Sequence, residues 1–155
     1  MDDEGQFKVV IAGGGVAAVE ALLALYELAH RRIELELIAP NDELILAALA
    51  VAEPFGIAPP PAIRLDDICR DVHASHRRDV LRGIDADARI TYTESGTEVP
   101  YDALLLAIGA SADPALPGAL TYRGIRDNAE IYELLLAAEA GEVGRIVFAV
   151  PTSIQ

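Results

Sequence analysis

Three consecutive glycines, Gly13-Gly14-Gly15, follow directly on the apolar run Phe7 to Ala12 (FKVVIA) and open a long, mostly apolar stretch. A short continuous apolar run that stops at glycine reads as a parallel strand buried on both faces. From Val16 to Arg32 the polar residues Glu20, Glu27 and Arg31 fall at spacings of seven and four, which puts one narrow polar stripe on a helix otherwise directed into protein. Ile33 to Ala39 (IELELIA) alternates and then turns apolar before Pro40-Asn41-Asp42 stops it, the pattern of a second strand. Strand, helix and strand in this order predict a right-handed βαβ unit.

The glycines fit G-x-G-x-x-A in the strand-to-helix context that gives this pattern its meaning. Gly13 permits the tight turn, Gly15 lets backbone N–H groups reach a pyrophosphate, and the small Ala18 lets the helix lie close to the first strand. Val16 and Ala17 open the helix, whose first N–H groups and positive dipole end would face the phosphates without help from a lysine. No G-K-[ST] follows, which argues against a nucleotide triphosphatase. An acidic residue commonly ends the second strand and bonds the adenosine ribose. Here that position is Ala39, followed by Pro40, so the contact falls to backbone or to the Asn41-Asp42 turn. A glycine-rich turn that binds nothing is the structural alternative.

Further along, the pattern predicts a short helix over Leu44 to Val51, a surface crossing over Ala52 to Ala62, and an amphipathic helix from Leu65 that ends near His73. His76 to Leu81 reads as a third strand, and Thr91 to Val99 as a hairpin around Ser95-Gly96. Ala103 to Ile108 is the next apolar strand. Gly109 to Gly124 is a linker rich in Pro, Gly and Ala. A helix over Asn128 to Ala140 closes at Gly141, and Arg145 to Val150 (RIVFAV) reads as one more buried strand.

Two further features exclude whole classes of function. A formal charge of −13 with only 12 Lys and Arg leaves no basic face to track phosphates, so nucleic acid drops out as a partner. The single cysteine, Cys69, supplies neither a disulfide framework nor a CxxC pair, and its place on an apolar helix face reads as a small buried hydrophobe. His30, His73 and His76 lack metal spacing and read as surface or cap residues; Asp66, Asp67 and Asp71 read as a solvated helix face. The longest apolar stretch, Leu44 to Ala52, is far short of a membrane span of ~20 residues, and no leader pattern is visible. A soluble, cytoplasmic protein is expected, and a homo-oligomer is compatible with the reading.

KVVIAGGGVAAVEALLAL, then LIAPNDE and VAEPFG, then EVPYDALLLAIGA together resemble the FAD-dependent pyridine nucleotide-disulfide oxidoreductases, in particular the branch with type II NADH dehydrogenases and sulfide:quinone reductases. The resemblance implies an α/β, Rossmann-like FAD-binding three-layer fold with a parallel sheet and a small β-hairpin or meander. It implies FAD as cofactor, NAD(P)H as co-substrate, and electron flow from NAD(P)H or sulfide through FAD to a quinone-like acceptor. It places a second FAD contact at Tyr101-Asp102 and at Ala107-Ile108-Gly109-Ala110, and adenine contacts at the Val80 and Leu81 backbone. Ile108 stands where the family often has Thr, and Leu46-Ala47-Ala48-Leu49 where it often has an Arg-Pro pair. The cofactor-binding set is thus Gly13, Gly15, Val16, Ala17, Ala18, Pro40, Val80, Leu81, Ala107 and Gly109; no catalytic residue and no metal ligand is identified.

By the same resemblance, residues 1–125 are the first segment of an FAD-binding domain, and residues 126–155 are a helix and first strand leading into a truncated nicotinamide-binding domain. The fold is then incomplete, and the 155-residue chain is expected to be an inactive fragment of an enzyme. The alternative is a stand-alone NAD- or nucleotide-binding Rossmann module, or an inert piece.

Overall fold

The computed structural model describes residues 6–46, 49, 53, 55, 61–110, 113, 114 and 116–149. The chain divides into two compact units, one of Met1–Ile45 with Ala62–Ala110 and the other of Leu46–Pro61 with Ser111–Gln155.

The first unit is built on strand β1 (Phe7–Ala12), with helix α1 (Val16–Ala29) leading to strand β2 (Ile33–Ile38). β1 pairs in parallel with β2 on one side and with β9 (Ala103–Leu106) on the other; β5 (Ser75–Arg77) extends the sheet beyond β2, giving the order β5-β2-β1-β9. Val9, Val10, Ile11 and Ala12 alternate between the two faces of the sheet and are all buried, which explains why β1 is continuously apolar from Val9 on. α1 is rich in Ala, Leu and Glu, good helix formers, and buries Ala18, Val19 and Leu22. Complete burial of Leu22 contributes about 2 kcal/mol relative to leaving it exposed. The fold is thus the mixed α/β, Rossmann-like one expected.

The helix is less deeply embedded than its single polar stripe predicts. Val16, Leu23 and Leu28 are exposed, Leu28 by 75%, and the buried residues of the helix are Ala18, Val19 and Leu22. It also ends early, at Ala29, and a 3-10 turn over His30–Arg32 leads into β2.

Glu36, expected only as a residue inside β2, is a buried carboxylate at 3% exposure. Lys8 Nζ on β1 lies 2.7 Å from it and Arg77 Nε on β5 lies 2.6 Å away, so one acid ties three strands together. Burial alone would raise its pKa, but the hydrogen bonds and charges of Lys8 and Arg77 hold it below the usual carboxylate value of 4.5. A depressed native pKa stabilises the fold above the unfolded value and loses that contribution as pH falls through the native one. We expect unfolding titrations to show stability level near neutrality and falling below about pH 4.5, with the acid limb of that profile flattened in Glu36→Gln.

β9 is pinned at its start by Asp102, whose Oδ2 accepts the Lys8 N–H at 2.7 Å while its own N–H donates to the Lys8 carbonyl at 2.9 Å. Asp102 therefore has a structural role at the entrance of the strand. The strand itself covers 103–106, shorter than the 103–108 expected, and Ile108 is 69% exposed.

Two antiparallel elements complete this unit. β3 (Glu43–Ile45) pairs with β4 (Ala62–Arg64), which runs straight into α2 (Leu65–Asp71). Residues 44 and 45 are therefore strand where a helix over Leu44 to Val51 is expected; the partner lies 17 or more residues away in sequence, and local apolar spacing cannot report it. Most of the rest of that helix and of the 52–62 crossing lies outside the described residues. β6 (Leu81–Asp85), β7 (Ile90–Thr93) and β8 (Glu98–Pro100) form a meander. The single strand expected over His76 to Leu81 is divided: 75–77 joins the parallel sheet, 78–80 is irregular, and Leu81 opens the meander.

In the second unit, a 3-10 turn over Ile125–Asp127 leads into α3 (Asn128–Glu139). Arg123 grips the Asp127 carboxylate from Nε and an Nη, at 3.2 and 2.7 Å, and holds its pKa down. Asn128 donates to Glu53 at 2.6 Å and accepts from the Tyr122 hydroxyl at 3.1 Å. Gly141, at φ 78°, follows the helix end as expected. Residues 145–149 form no strand; Val147 and Phe148 are 76% and 91% exposed. An apolar run becomes a buried strand only where neighbouring strands receive it, and none does so among the described residues. Val150 lies outside them.

Candidate functional site

The carboxyl ends of β1, β2 and β9 surround a cavity of about 430 Å³ in the first unit, the place where open parallel sheets take ligands. Ala12 and the three glycines form its floor, Ile38, Pro40 and Asn41 one wall, Asp79, Val80 and Leu81 a second, and Ala107, Ile108 and Gly109 a third. Seven of the residues expected to bind cofactor meet here: Gly13, Gly15, Pro40, Val80, Leu81, Ala107 and Gly109. Val16, Ala17 and Ala18 are in the first turn of α1 beside the floor. Ala18 is fully buried, and its N–H donates to the Gly15 carbonyl at 3.1 Å.

The three glycines have separate reasons to be glycine. Gly13 sits at φ 132°, and a Cβ there would lie inside the van der Waals envelope of the Ala107 carbonyl, 2.6 Å from its carbon. This close approach joins the first glycine turn to the segment after β9. A Cβ on Gly14 would press to 3.0 Å on Ala39 and 3.1 Å on Leu65. Gly15 is different: its backbone is extended, at φ −87°, and a Cβ would meet no protein atom within 4 Å. The fold does not need glycine at 15; only something placed in the open space before it would. No side chain caps α1 and no acidic residue lies in its first turn, so the helix end is left facing that space with its dipole uncompensated.

Ala39 stands fully buried where an acidic ribose ligand commonly is. Glu36 is committed to Lys8 and Arg77, and Asp42 pairs with Arg78 at 2.9 Å, leaving Asn41 as the polar side chain of that wall. A network supports it from behind. The His76 ring, 2% exposed, has Nδ1 2.7 Å from Asp66 and Nε2 3.3 Å from the Ala39 carbonyl. Hydrogen bonds from His76 and then Arg78 hold Asp66 down at about 2. The side chain of His76 is thus buried rather than on the surface, and Asp66 is an anchor rather than a solvated face. Cys69 is buried as expected, and burial first, then the charge of Asp66, pushes its thiol up to about 11, so it is inert near neutrality.

Asp79 is the charged lining residue that the sequence reading missed. Its Oδ1 accepts the Val80 N–H at 2.8 Å and the Ser95 N–H at 3.3 Å, and its Oδ2 the Ser95 hydroxyl at 2.5 Å. Val80 also accepts the Glu94 N–H at 2.9 Å through its carbonyl, so both of its backbone polar groups have partners within the chain. Among the described residues no cluster of three or more His, Cys, Asp or Glu is arranged to hold a metal, and no helix is long and apolar enough to cross a membrane.

The profile of the pyridine nucleotide-disulphide oxidoreductase family matches residues 7–147. Among solved structures, the sulfide:quinone oxidoreductase of the hyperthermophilic bacterium Aquifex aeolicus superposes with a TM-score of 0.75 at 20% identity, over 86% of this chain and 32% of that one. NDH2 of Plasmodium falciparum in complex with NADH gives 0.70 at 17% identity, over 92% and 32%. Fdr9 gives 0.64 at 27% identity, over 82% and 33%. The chain spans about a third of the length of these solved structures. No curated protein sequence matches it.

Proposed function

The chain belongs to the pyridine nucleotide-disulphide oxidoreductase family, and from that premise we propose that it holds FAD in the cavity above β1 as part of a flavin-dependent oxidoreductase. The observation that carries this reading is the open space at Gly15, where a side chain would offend no protein atom but would fill the cradle before the helix end. Backbone N–H groups at Gly15, Val16 and Ala17 hold the pyrophosphate, and the α1 dipole favours its charge. The Pro40-Asn41 and Asp79-Leu81 walls take the adenosine. Ala107 to Gly109 take the side that leads to the flavin.

FAD, when bound, supplies the hydride and electron transfer. This segment binds and orients the cofactor, and the apolar side chains of Ile38, Val80, Leu81 and Ile108 keep water from it. The donor, in this reading, is NAD(P)H or sulfide and the acceptor a quinone-like molecule; the folds shared with the sulfide:quinone oxidoreductase and with NDH2 in its NADH complex support that choice. Residues 1–125 serve as the first segment of the FAD domain, residues 126–155 lead toward a nicotinamide-binding domain, and these 155 residues alone do not turn over.

Titration with FAD, NAD and AMP tests the proposal. FAD should bind tightest and acquire an altered flavin absorbance on binding. A preference for NAD would identify a stand-alone nucleotide module instead, and no uptake of any of the three would refute the assignment.

A further inference from the structure

Resting on the dinucleotide reading of the cavity, we propose that Asp79 is the positioning residue of its base end: its carboxylate ties the loop before β6 to the β7–β8 turn and so sets where the adenine lies. Residues 78–80 belong to no strand, and the ladder that follows is irregular between Leu81 and Gly83. Two anchors hold this loop against the meander. One is the Glu94 N–H on the Val80 carbonyl; the other is Asp79, which collects the Val80 N–H, the Ser95 N–H and the Ser95 hydroxyl. A carboxylate is an acceptor only, and three donors converging on one fix its orientation.

The receiving turn is itself prearranged. The hydroxyls of Thr93, Ser95 and Thr97 stand 3.2 and 3.0 Å apart in sequence, and the Thr97 N–H donates to Thr93 Oγ1 at 3.2 Å. Hydrogen bonds from Ser95 and then Thr93 hold Asp79 at about 2, so the clamp is ionised throughout the neutral range. The Val80 backbone, with both polar groups already engaged, then offers the base a fixed wall next to Leu81. None of the hydrogen bonds of this clamp reaches the floor at Gly15 or the wall at Ala107.

The test compares ADP with inorganic pyrophosphate by calorimetry on the wild type, Asp79→Ala and Ser95→Ala. The second variant alters only an exposed turn and is chosen to fold. Both variants should weaken ADP binding roughly tenfold, the scale of a lost charge-assisted hydrogen bond, while the pyrophosphate affinity stays within about twofold. Unchanged or tightened ADP binding, or an equal loss for both ligands, would overturn the clamp while leaving the site itself standing. A wild type that takes up neither ligand would remove the dinucleotide reading and the clamp with it.

Discussion

Gly15→Val is expected to lose FAD by a hundredfold or more while the protein still folds. The valine side chain would occupy the space through which backbone N–H groups reach the pyrophosphate, and two lost charge-assisted bonds amount to roughly 3–6 kcal/mol. The protein itself should tolerate the change, because Gly15 is in extended backbone and a Cβ there meets no protein atom within 4 Å. Its cost to folding is the loss of a favourable helix N-cap residue, about 1 kcal/mol, or a fall of about 2–4 °C in Tm. Fluorescence titration of FAD alongside thermal unfolding separates the two effects. Binding retained in the variant would count against the assigned cradle.

Gly13→Ala should fail in the opposite way. At φ 132° an alanine is strained, and its Cβ would drive into the Ala107 carbonyl, which is backbone and cannot rotate away. Left-handed strain and overpacking together put the loss of stability at about 3 kcal/mol or more, enough to lower Tm by about 6–12 °C or to leave the chain insoluble. A Gly13→Ala protein with wild-type Tm would show that the β1 turn and the segment after β9 are not in the contact described. Two glycines two residues apart thus separate into one that the fold requires and one that the ligand requires.

That distinction marks how far the sequence could be read. The βαβ unit was legible because its signals are local: a continuous apolar strand, glycines at its end, and Pro40-Asn41 closing the next strand. The hairpin around Ser95-Gly96 was legible for the same reason. The strand β3 was not, because its partner β4 lies beyond a long intervening segment, and the three residues Glu43-Leu44-Ile45 are too few for their pattern to tell helix from strand. RIVFAV misleads in the reverse direction: its composition is that of a buried strand, but with no neighbouring strand among the described residues its Val147 and Phe148 are exposed.

In the site, Gly13, Gly15 and Gly109 could be named because each is glycine for a backbone reason, and Ala107 because the family resemblance places a contact there. Asp79 could not. Its role depends on Ser95, 16 residues on, which the meander folds back against it. Glu36 was likewise visible only as a polar residue in a strand; the ion pairs that explain it come from β1 and β5, which reach it only when the sheet assembles.

The most direct measurement is an amide NMR titration of the 155-residue protein with ADP. The largest shift changes should fall on the N–H groups of Gly15, Val16 and Ala17, with smaller ones at Asn41, Val80 and Gly109. Changes confined to other surfaces, with the amides at 15–17 unmoved at saturation, would contradict the claim that bare backbone at the end of the first strand holds the diphosphate.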